Sequence, residues 1–316
     1  MKDFIDLARD AAYELSRTYF GRPELELVAW LQIALQREAM VSAAYNDAFV
    51  MAQLAVWKND AKIDQKVIEV IARTLTGVWA QENGHQGYFK ALLKGISPSQ
   101  TLMSRISNEL VAIRGKLEGK IIAGAVSPDI GKRYAARAAI VVGKFTSNVP
   151  DYVSELKQTQ FSQFCSINAD LEHTAISGYR RMMVLGSSIP DYELFTDTAL
   201  FSDIQRTGTD ETYHYHLFRT LADWPPDLPP GGTPPSHSPM GPEAKPWDLM
   251  KAEDVRGIIL QAKTIAYGAG NTKIGDTVMT FDEQLIYNDP LVARIRKLVS
   301  AEEAEGEKVM MMSAGA

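Results

Sequence analysis

Apolar residues recur at steps of three and four along almost the whole chain, and no stretch alternates convincingly with period two. This spacing predicts amphipathic helices over roughly 3–19, 24–57, 63–94, 99–118, 129–146, 151–186, 191–222, 248–267 and 289–305. Turn formers fall between them. Lys58-Asn59-Asp60 separates the second and third stretches, Ser97-Pro98 closes the third, Ser127-Pro128-Asp129 opens the fifth, and Pro190 stands near the first turn of the seventh. The fold class read from this pattern is all-α. One segment departs from it: nine of the fifteen prolines lie between Trp224 and Trp247, with Gly231-Gly232 among them. That composition predicts an extended connection, a linker or strap over the helices, with a lid or a docking strap for a partner as the second reading. Residues from about Glu302 to Ala316 read as a frayed tail.

Four of the predicted helices carry polar groups inside their apolar stripes. In the third, Ile71, Leu75, Val78, Glu82, His85, Phe89 and Leu92 follow one another at alternating steps of 4 and 3. In the seventh, Leu200, Ile204, Thr207, Glu211, His214, Phe218 and Leu221 repeat the same steps. Each stripe should face a core, and each holds a Glu-x-x-His pair at its centre. Residues i and i+3 share a helix face, so each pair can reach one metal ion from one side. The preceding helices each add a carboxylate. Glu38 sits in the stripe Val28, Leu31, Leu35, Glu38, Ser42, Tyr45, Phe49, Ala52 and Val56. Glu172 sits in the stripe Phe161, Cys165, Asn168, Glu172, Ala175, Tyr179 and Met182.

Depth can be checked by counting. Glu38 stands 22 residues before Asp60 and Glu82 stands 22 after it, so in a helical hairpin both lie at the same level. Glu172 and Glu211 lie 18 residues before and 21 after Pro190, level to within one turn. Burying unpaired carboxylates costs several kcal/mol, so these six groups need a partner. One Glu from each of two helices, with a Glu-x-x-His from each of two more, is the donor set of a dinuclear carboxylate-bridged iron or manganese centre. The bland reading for the two Glu-x-x-His pairs is a pair of structural ion pairs. His173 and His216 point off their stripes, and His237 lies in the proline segment.

Composition narrows the remaining classes. With 46% hydrophobic and 23% charged residues the chain has the make-up of a globular protein. A net charge of −6 gives no basic footprint for nucleic acid. The single cysteine, Cys165, excludes a disulfide scaffold and a four-thiolate metal site. No apolar run approaches the length of a membrane span, and the acidic residues Asp3, Asp6, Asp10 and Glu14 do not suit a secretory signal. The expectation is a cytosolic protein.

These residues give the chain a resemblance to the ferritin-like superfamily of di-iron carboxylate proteins. The 90 residues between Glu82 and Glu172 are more similar to its oxygenase and ribonucleotide reductase small-subunit branch than to ferritin itself. Asp210-Glu211-Thr212-Tyr213-His214 is similar to the D-E-x-x-H form of bacterial multicomponent monooxygenases. Gln81-Glu82-Asn83-Gly84-His85-Gln86-Gly87 resembles the D-E-A-G-H-G of the phenylacetyl-CoA epoxidase catalytic subunit. The resemblance covers about residues 25–95 and 150–222. It implies a ferritin-like four-helix bundle with additional helices and a Pro-rich connection. Residues 1–222 would form the di-metal bundle domain, with 223–316 supplying the strap, C-terminal helices and tail packed on the same domain. It also implies that Asp210 orients His85, with Gln81 in the equivalent place for His214.

The function so implied is a non-haem di-iron oxygenase that hydroxylates, N-oxygenates or desaturates a small organic substrate, with Glu38, Glu82, His85, Glu172, Glu211 and His214 as ligands of two irons. A di-manganese catalase or peroxidase, with Mn/Mn or Mn/Fe in place of iron, is one alternative. A non-catalytic accessory subunit of a monooxygenase is the other. Partners would be O2, the substrate, an external electron donor such as a ferredoxin or reductase, and a second copy of the chain in a homodimer. Neither nucleic acid nor membrane is expected. Tyr45, Tyr179 and Thr207 are pocket candidates, and for the tyrosines a core role with a hydrogen-bonded hydroxyl stays open beside a pocket or redox role. Ser42, Ala175, Asn168 and Cys165 are small or polar stripe residues that would line a cavity with Thr207. Thr207-Gly208-Thr209 is a weak helix run that fits a π-bulge or an ordinary turn. Phe89 stands where the reductase branch keeps its radical tyrosine, so radical storage is not expected.

Overall fold

The computed structural model describes residues 4–61, 64–120, 153–154, 156–157, 161–190, 199–222, 250–270 and 281–314. Among the described residues there are ten helices and no strand: α1 (Phe4–Thr18), α2 (Pro23–Tyr45), α3 (Asp47–Ala61), α4 (Gln65–Ile96), α5 (Gln100–Lys120), α6 (Phe161–Ser187), α7 (Ala199–Ala222), α8 (Ala252–Tyr267), α9 (Glu283–Asn288) and α10 (Pro290–Ala314). The helix expected over 129–146 and the proline segment 224–247 lie outside the described residues, as do 191–198 of the seventh predicted helix.

Local chemistry sets the ends of the longest helix. Asp64 Oδ1 accepts from the Lys66 amide at 2.7 Å and opens α4. Ser97 closes it in the left-handed region (φ 57°), its amide bonded to the Leu93 carbonyl, and Pro98 prevents continuation.

The long helices α2, α4, α6 and α7 pack along one another. Their directions follow from which halves share a core. One apolar cluster joins the N-terminal half of α2, the C-terminal halves of α4 and α6, and the start of α7, with α1, α5, α9 and α10 around them. The other joins the C-terminal end of α2, the N-terminal halves of α4 and α6, and the C-terminal half of α7, with α3 and α8. Hence α2 and α7 run one way, and α4 and α6 run the other. The second and third of these helices, α4 and α6, are therefore parallel, and successive parallel helices need a long return between them, here residues 97–160. Between the two apolar clusters lies a buried layer of Glu38, Gln81, Glu82, His85, Glu172, Asp210, Glu211 and His214.

All seven stripe residues of α4, of α6 and of α7 are buried, as the periodicity predicts. The stretch 24–57 is different, because it is two helices. Asn46 leaves helical geometry (ψ 138°), and its Oδ1 accepts from the Ala48 amide at 3.0 Å, so Asn46 ends α2 and caps α3. The break shifts the phase of the buried face by one residue. Val50, Gln53, Leu54 and Trp57 are buried, whereas Ala52 is exposed and Phe49 and Val56 are half-buried.

The C-terminus also departs from expectation. The residues read as a frayed tail continue α10 to Ala314. Ala, Glu, Lys and Met are strong helix formers. Glu303 Oε1 further accepts from the Ser99 amide at 2.7 Å, which ties this helix to the start of α5. The six-residue α9 has no predicted counterpart. It packs on α4, where Gly95 lets Val292 of the neighbouring α10 approach to 3.0 Å of where a Cβ would stand. Thr207-Gly208-Thr209 lies in unbroken α-helix without a π-bulge. Thr207 and Thr209 each donate to the carbonyl four residues back.

Candidate metal centre

The six predicted donors converge. Glu38, Glu82, His85 and Glu211 present one oxygen or nitrogen each within 4.8 Å of one another, and so do Glu82, Glu172, Glu211 and His214. The two sets share Glu82 and Glu211. Each set takes three side chains from one hairpin and a single glutamate from the other. All six groups are buried, His85 and His214 completely.

Both imidazoles turn Nδ1 inward. His85 Nδ1 lies 3.1 Å from Glu211, 3.4 Å from Glu82 and 3.5 Å from Glu38. His214 Nδ1 lies 2.8 Å from Glu82 and 3.4 Å from Glu211. Their outer nitrogens are held by the residue preceding the other motif's glutamate. His85 Nε2 is 3.1 Å from Asp210 Oδ2, and His214 Nε2 is 2.9 Å from Gln81 Oε1. An acceptor at Nε2 keeps the proton there and leaves the Nδ1 lone pair toward the cluster. Gln81 therefore performs on its side what Asp210 performs on the other.

The tyrosines obey the same approximate two-fold plan. Tyr45, seven residues after Glu38, donates to Glu172 Oε1 at 2.6 Å, and Tyr179, seven residues after Glu172, donates to Glu38 Oε1. Each hydroxyl fixes one oxygen of the opposite hairpin's glutamate. Glu38 Oε2 is left without a hydrogen-bond partner, as are both oxygens of Glu82, Glu211 Oε1 and His85 Nδ1. Buried polar atoms are almost always satisfied. Apart from the imidazole–carboxylate contacts given above, nothing satisfies these five atoms, and a metal ion could be held among them.

Electrostatics describe the same cluster as it stands with protons alone. Burial first, then repulsion from Glu211 and Glu82, pushes the Glu38 carboxyl well above its ordinary range. Burial and the same two neighbours do this to Glu172. Burial also opposes charge on Glu82 and Glu211. For Glu82 burial and the repulsion of Glu211 are outweighed by the attraction of His214 together with hydrogen bonds from Glu38 and His214, and its pKa falls. For Glu211 the contacts to Glu172, His214 and His85 outweigh burial, and its pKa falls well below the usual value. Burial would strip the proton from both imidazoles, but Asp210 and the carboxylates hold His85 well above its usual value, and Glu82 with Glu211 raises His214 to about 9. Without metal, then, the imidazoles hold their protons more tightly, as do the outer carboxyls Glu38 and Glu172, while Glu82 and Glu211 give theirs up more readily.

Two contributors have no signal in the stripes. Tyr267, at the end of α8, donates to Asp210 Oδ1 at 2.6 Å and so orders the group that orients His85. Arg37 is buried beside Glu38 and donates to the Leu171 carbonyl at 2.6 Å and to Thr174, locking α2 against α6 next to Glu172. An arginine inside an apolar helix stretch is itself a cue for such a tie. Of the small residues expected to line a cavity, Ser42 borders one. This residue lines a groove of about 800 Å³ with Ala39, Ala43, Phe49, Trp79 and Asn83. Asn168 turns its amide back to the Phe164 carbonyl, and Cys165 is enclosed in the apolar cluster. His173 lies against Tyr215, away from the six donors. His237 falls outside the described residues. No helix among those described is long and apolar enough to cross a membrane.

Compared with protein-family models, with curated proteins and with solved structures, the chain matches none.

Proposed function

We propose that the chain is a ferritin-like, non-haem di-iron oxygenase acting on a small organic substrate. The observation that carries this reading is the pair of donor sets sharing Glu82 and Glu211, with five orphaned atoms between them. Glu38 with His85 would hold one cation and Glu172 with His214 a second, with Glu82 and Glu211 within reach of both. The directions of α2, α4, α6 and α7, with one long return between the successive parallel helices α4 and α6, agree with the ferritin-like connection. Mixed carboxylate and imidazole donors favour iron or manganese over zinc, which prefers fewer and closed ligands.

When bound, a pair of ferrous ions supplies the binding and reduction of O2. The protein's own residues set the conditions for it. Glu38, Glu82, Glu172 and Glu211 neutralise four positive charges inside an apolar core. Tyr45 and Tyr179 hold the outer glutamates by one oxygen and leave the other free to ligate. Asp210 and Gln81 fix the imidazole tautomers. Phe89 packs at 5.3 Å on Tyr179, Phe218 stacks at 5.2 Å on Tyr45, and both exclude water from the layer. We place the organic substrate in the groove beside Ser42, one helical turn from Glu38. With a single cysteine, enclosed in the core, the chain has no thiolates for an iron–sulfur relay, so electrons come from a separate donor or from the substrate.

The test is anaerobic loading of the full chain with Fe(II), metal analysis, and then O2 uptake with rapid-scan spectroscopy. Two irons per chain with O2 consumption and a transient visible charge-transfer band are the expected result. Iron retention without O2 uptake or any such band overturns the oxygenase reading. Rapid disproportionation of H2O2 by manganese-loaded chain would assign it to peroxide chemistry instead.

A further inference from the structure

Helix α8 lies outside the four helices that supply the six donors, and it packs along α7 and against α4. Its last residue, Tyr267, is half-buried, with its ring 6.0 Å from that of Tyr213. The hydroxyl donates to Asp210 Oδ1 at 2.6 Å, which spends its one proton. Toward any further group it can only accept. The Gln81 amide meets it there, and nothing else among the described residues accepts from Gln81 Nε2.

Helices α4, α7 and α8 thus build one unbroken run of hydrogen bonds from imidazole to imidazole. His214 Nε2 gives to Gln81 Oε1 at 2.9 Å, and Gln81 Nε2 gives to the Tyr267 hydroxyl. Tyr267 gives to Asp210, whose other oxygen takes up His85 Nε2 at 3.1 Å. Each donor faces an acceptor, and Asp210 receives from both ends.

The glutamine makes the tyrosine necessary. A carboxylate offers oxygen to an imidazole N–H whichever way it turns, but an amide turned the wrong way sets donor against donor. What faces the far end of the amide decides its direction. A hydroxyl that can only accept calls for the amino end of Gln81 and so leaves the oxygen for His214. Burial first, then Asp210, pushes the Tyr267 pKa up, so the hydroxyl keeps the proton it donates.

We propose that Tyr267 is a positioning residue for both histidines, its hydroxyl joining Gln81 and Asp210 into a belt that aims Nδ1 of His214 and of His85 at the centre. This rests on the six donors forming a metal centre, and not on the oxygenase reaction.

The experiment follows the two imidazole Nε2–H resonances in metal-free, isotopically labelled full chain for wild type, Tyr267→Phe, Gln81→Leu and the double variant. Phenylalanine keeps the ring contact with Tyr213 and removes only the hydroxyl. Tyr267→Phe should displace both resonances, whereas on the Gln81→Leu background it should displace that of His85 alone. A packing role would move His214 on either background. No displacement in Tyr267→Phe, or an equal displacement of the His214 signal on both backgrounds, overturns the belt. Anaerobic Fe(II) competition with a chromophoric chelator gives the second readout. Retention should weaken about 3–10-fold in Tyr267→Phe at unchanged circular dichroism, the effect of one lost hydrogen bond. Unchanged affinity overturns the positioning role. If the wild-type chain holds no iron, the metal-centre reading fails, and the metal-free resonances still decide the belt.

Discussion

The amide oxygen of Gln81 stands 2.9 Å from Nε2 of His214, in the position that Asp210 occupies, at 3.1 Å, toward His85. A neutral acceptor and an anionic one thus serve the two halves of one centre. The carboxylate draws more strongly on its imidazole, so the two histidines differ in donor strength although their geometry is matched.

Replacing that acceptor tests its part. Gln81→Leu should weaken metal retention at the His214 side by about 10–100-fold, the usual cost of losing an outer hydrogen-bond partner of a ligating histidine. Competition with a chromophoric chelator measures it, and an unchanged affinity would remove Gln81 from the centre.

Glu82 and Glu211 each belong to both donor sets, whereas His214 belongs to one. Glu82→Ala and His214→Ala should therefore both abolish stable metal retention while leaving helix content largely intact. Metal analysis after desalting, with far-ultraviolet circular dichroism alongside, checks this. Near-wild-type metal stoichiometry in either variant would contradict the ligand assignment.

Tyr45→Phe removes the hydroxyl that donates to Glu172 at 2.6 Å in a fully buried setting. The loss leaves an acceptor without a donor and should cost about 1–3 kcal/mol in the metal-free protein. Chemical denaturation reads this directly. Tyr179→Phe should act in parallel on Glu38, and the two effects should be similar if the approximate two-fold symmetry extends to energetics.

The metal-free protein should lose stability on the alkaline side. His214 is raised from 6.5 to about 9, so its stabilising contribution is complete below 6.5 and disappears as pH climbs through about 9. His85 is shifted the same way, and Glu38 and Glu172, raised by burial, also favour the folded state less as pH rises. Glu82 and Glu211 are lowered, so their contribution is present above 4.5 and is lost only as pH falls through the lowered values. The melting temperature without metal should thus fall between pH 6.5 and 9. Metal-loaded protein should not follow it, because cations take the place of the protons. Parallel melting curves across that range would refute the charge assignment.

The seven-residue stripes of α4, α6 and α7 were legible because a buried helix face is written into spacing alone, and Glu82, His85, Glu172, Glu211 and His214 sit inside those stripes. Glu38 was legible for the same reason, but the stripe beyond it was not. Asn46 reads as an ordinary helical residue until its side chain is seen capping the following turn, and that one residue rephased everything after it. Helix α9 is shorter than two turns and carries no periodic signal. Tyr267 could not be placed because its partner, Asp210, is 57 residues away and nothing local marks the pair. The extension of α10 was missed because Glu303 is fixed by an amide 204 residues earlier, a contact that composition does not reveal.

The way the donors are divided has a consequence for assembly. The hairpin of α2 and α4 lacks one oxygen for its set, and the hairpin of α6 and α7 lacks one for the other, and each missing atom is lent across the midline by the opposite half. Ions held there would act as a clasp that closes only once both hairpins have docked. Metal capture would then report the last step of tertiary assembly, and release of the ions would loosen the joint between the halves before unwinding either one.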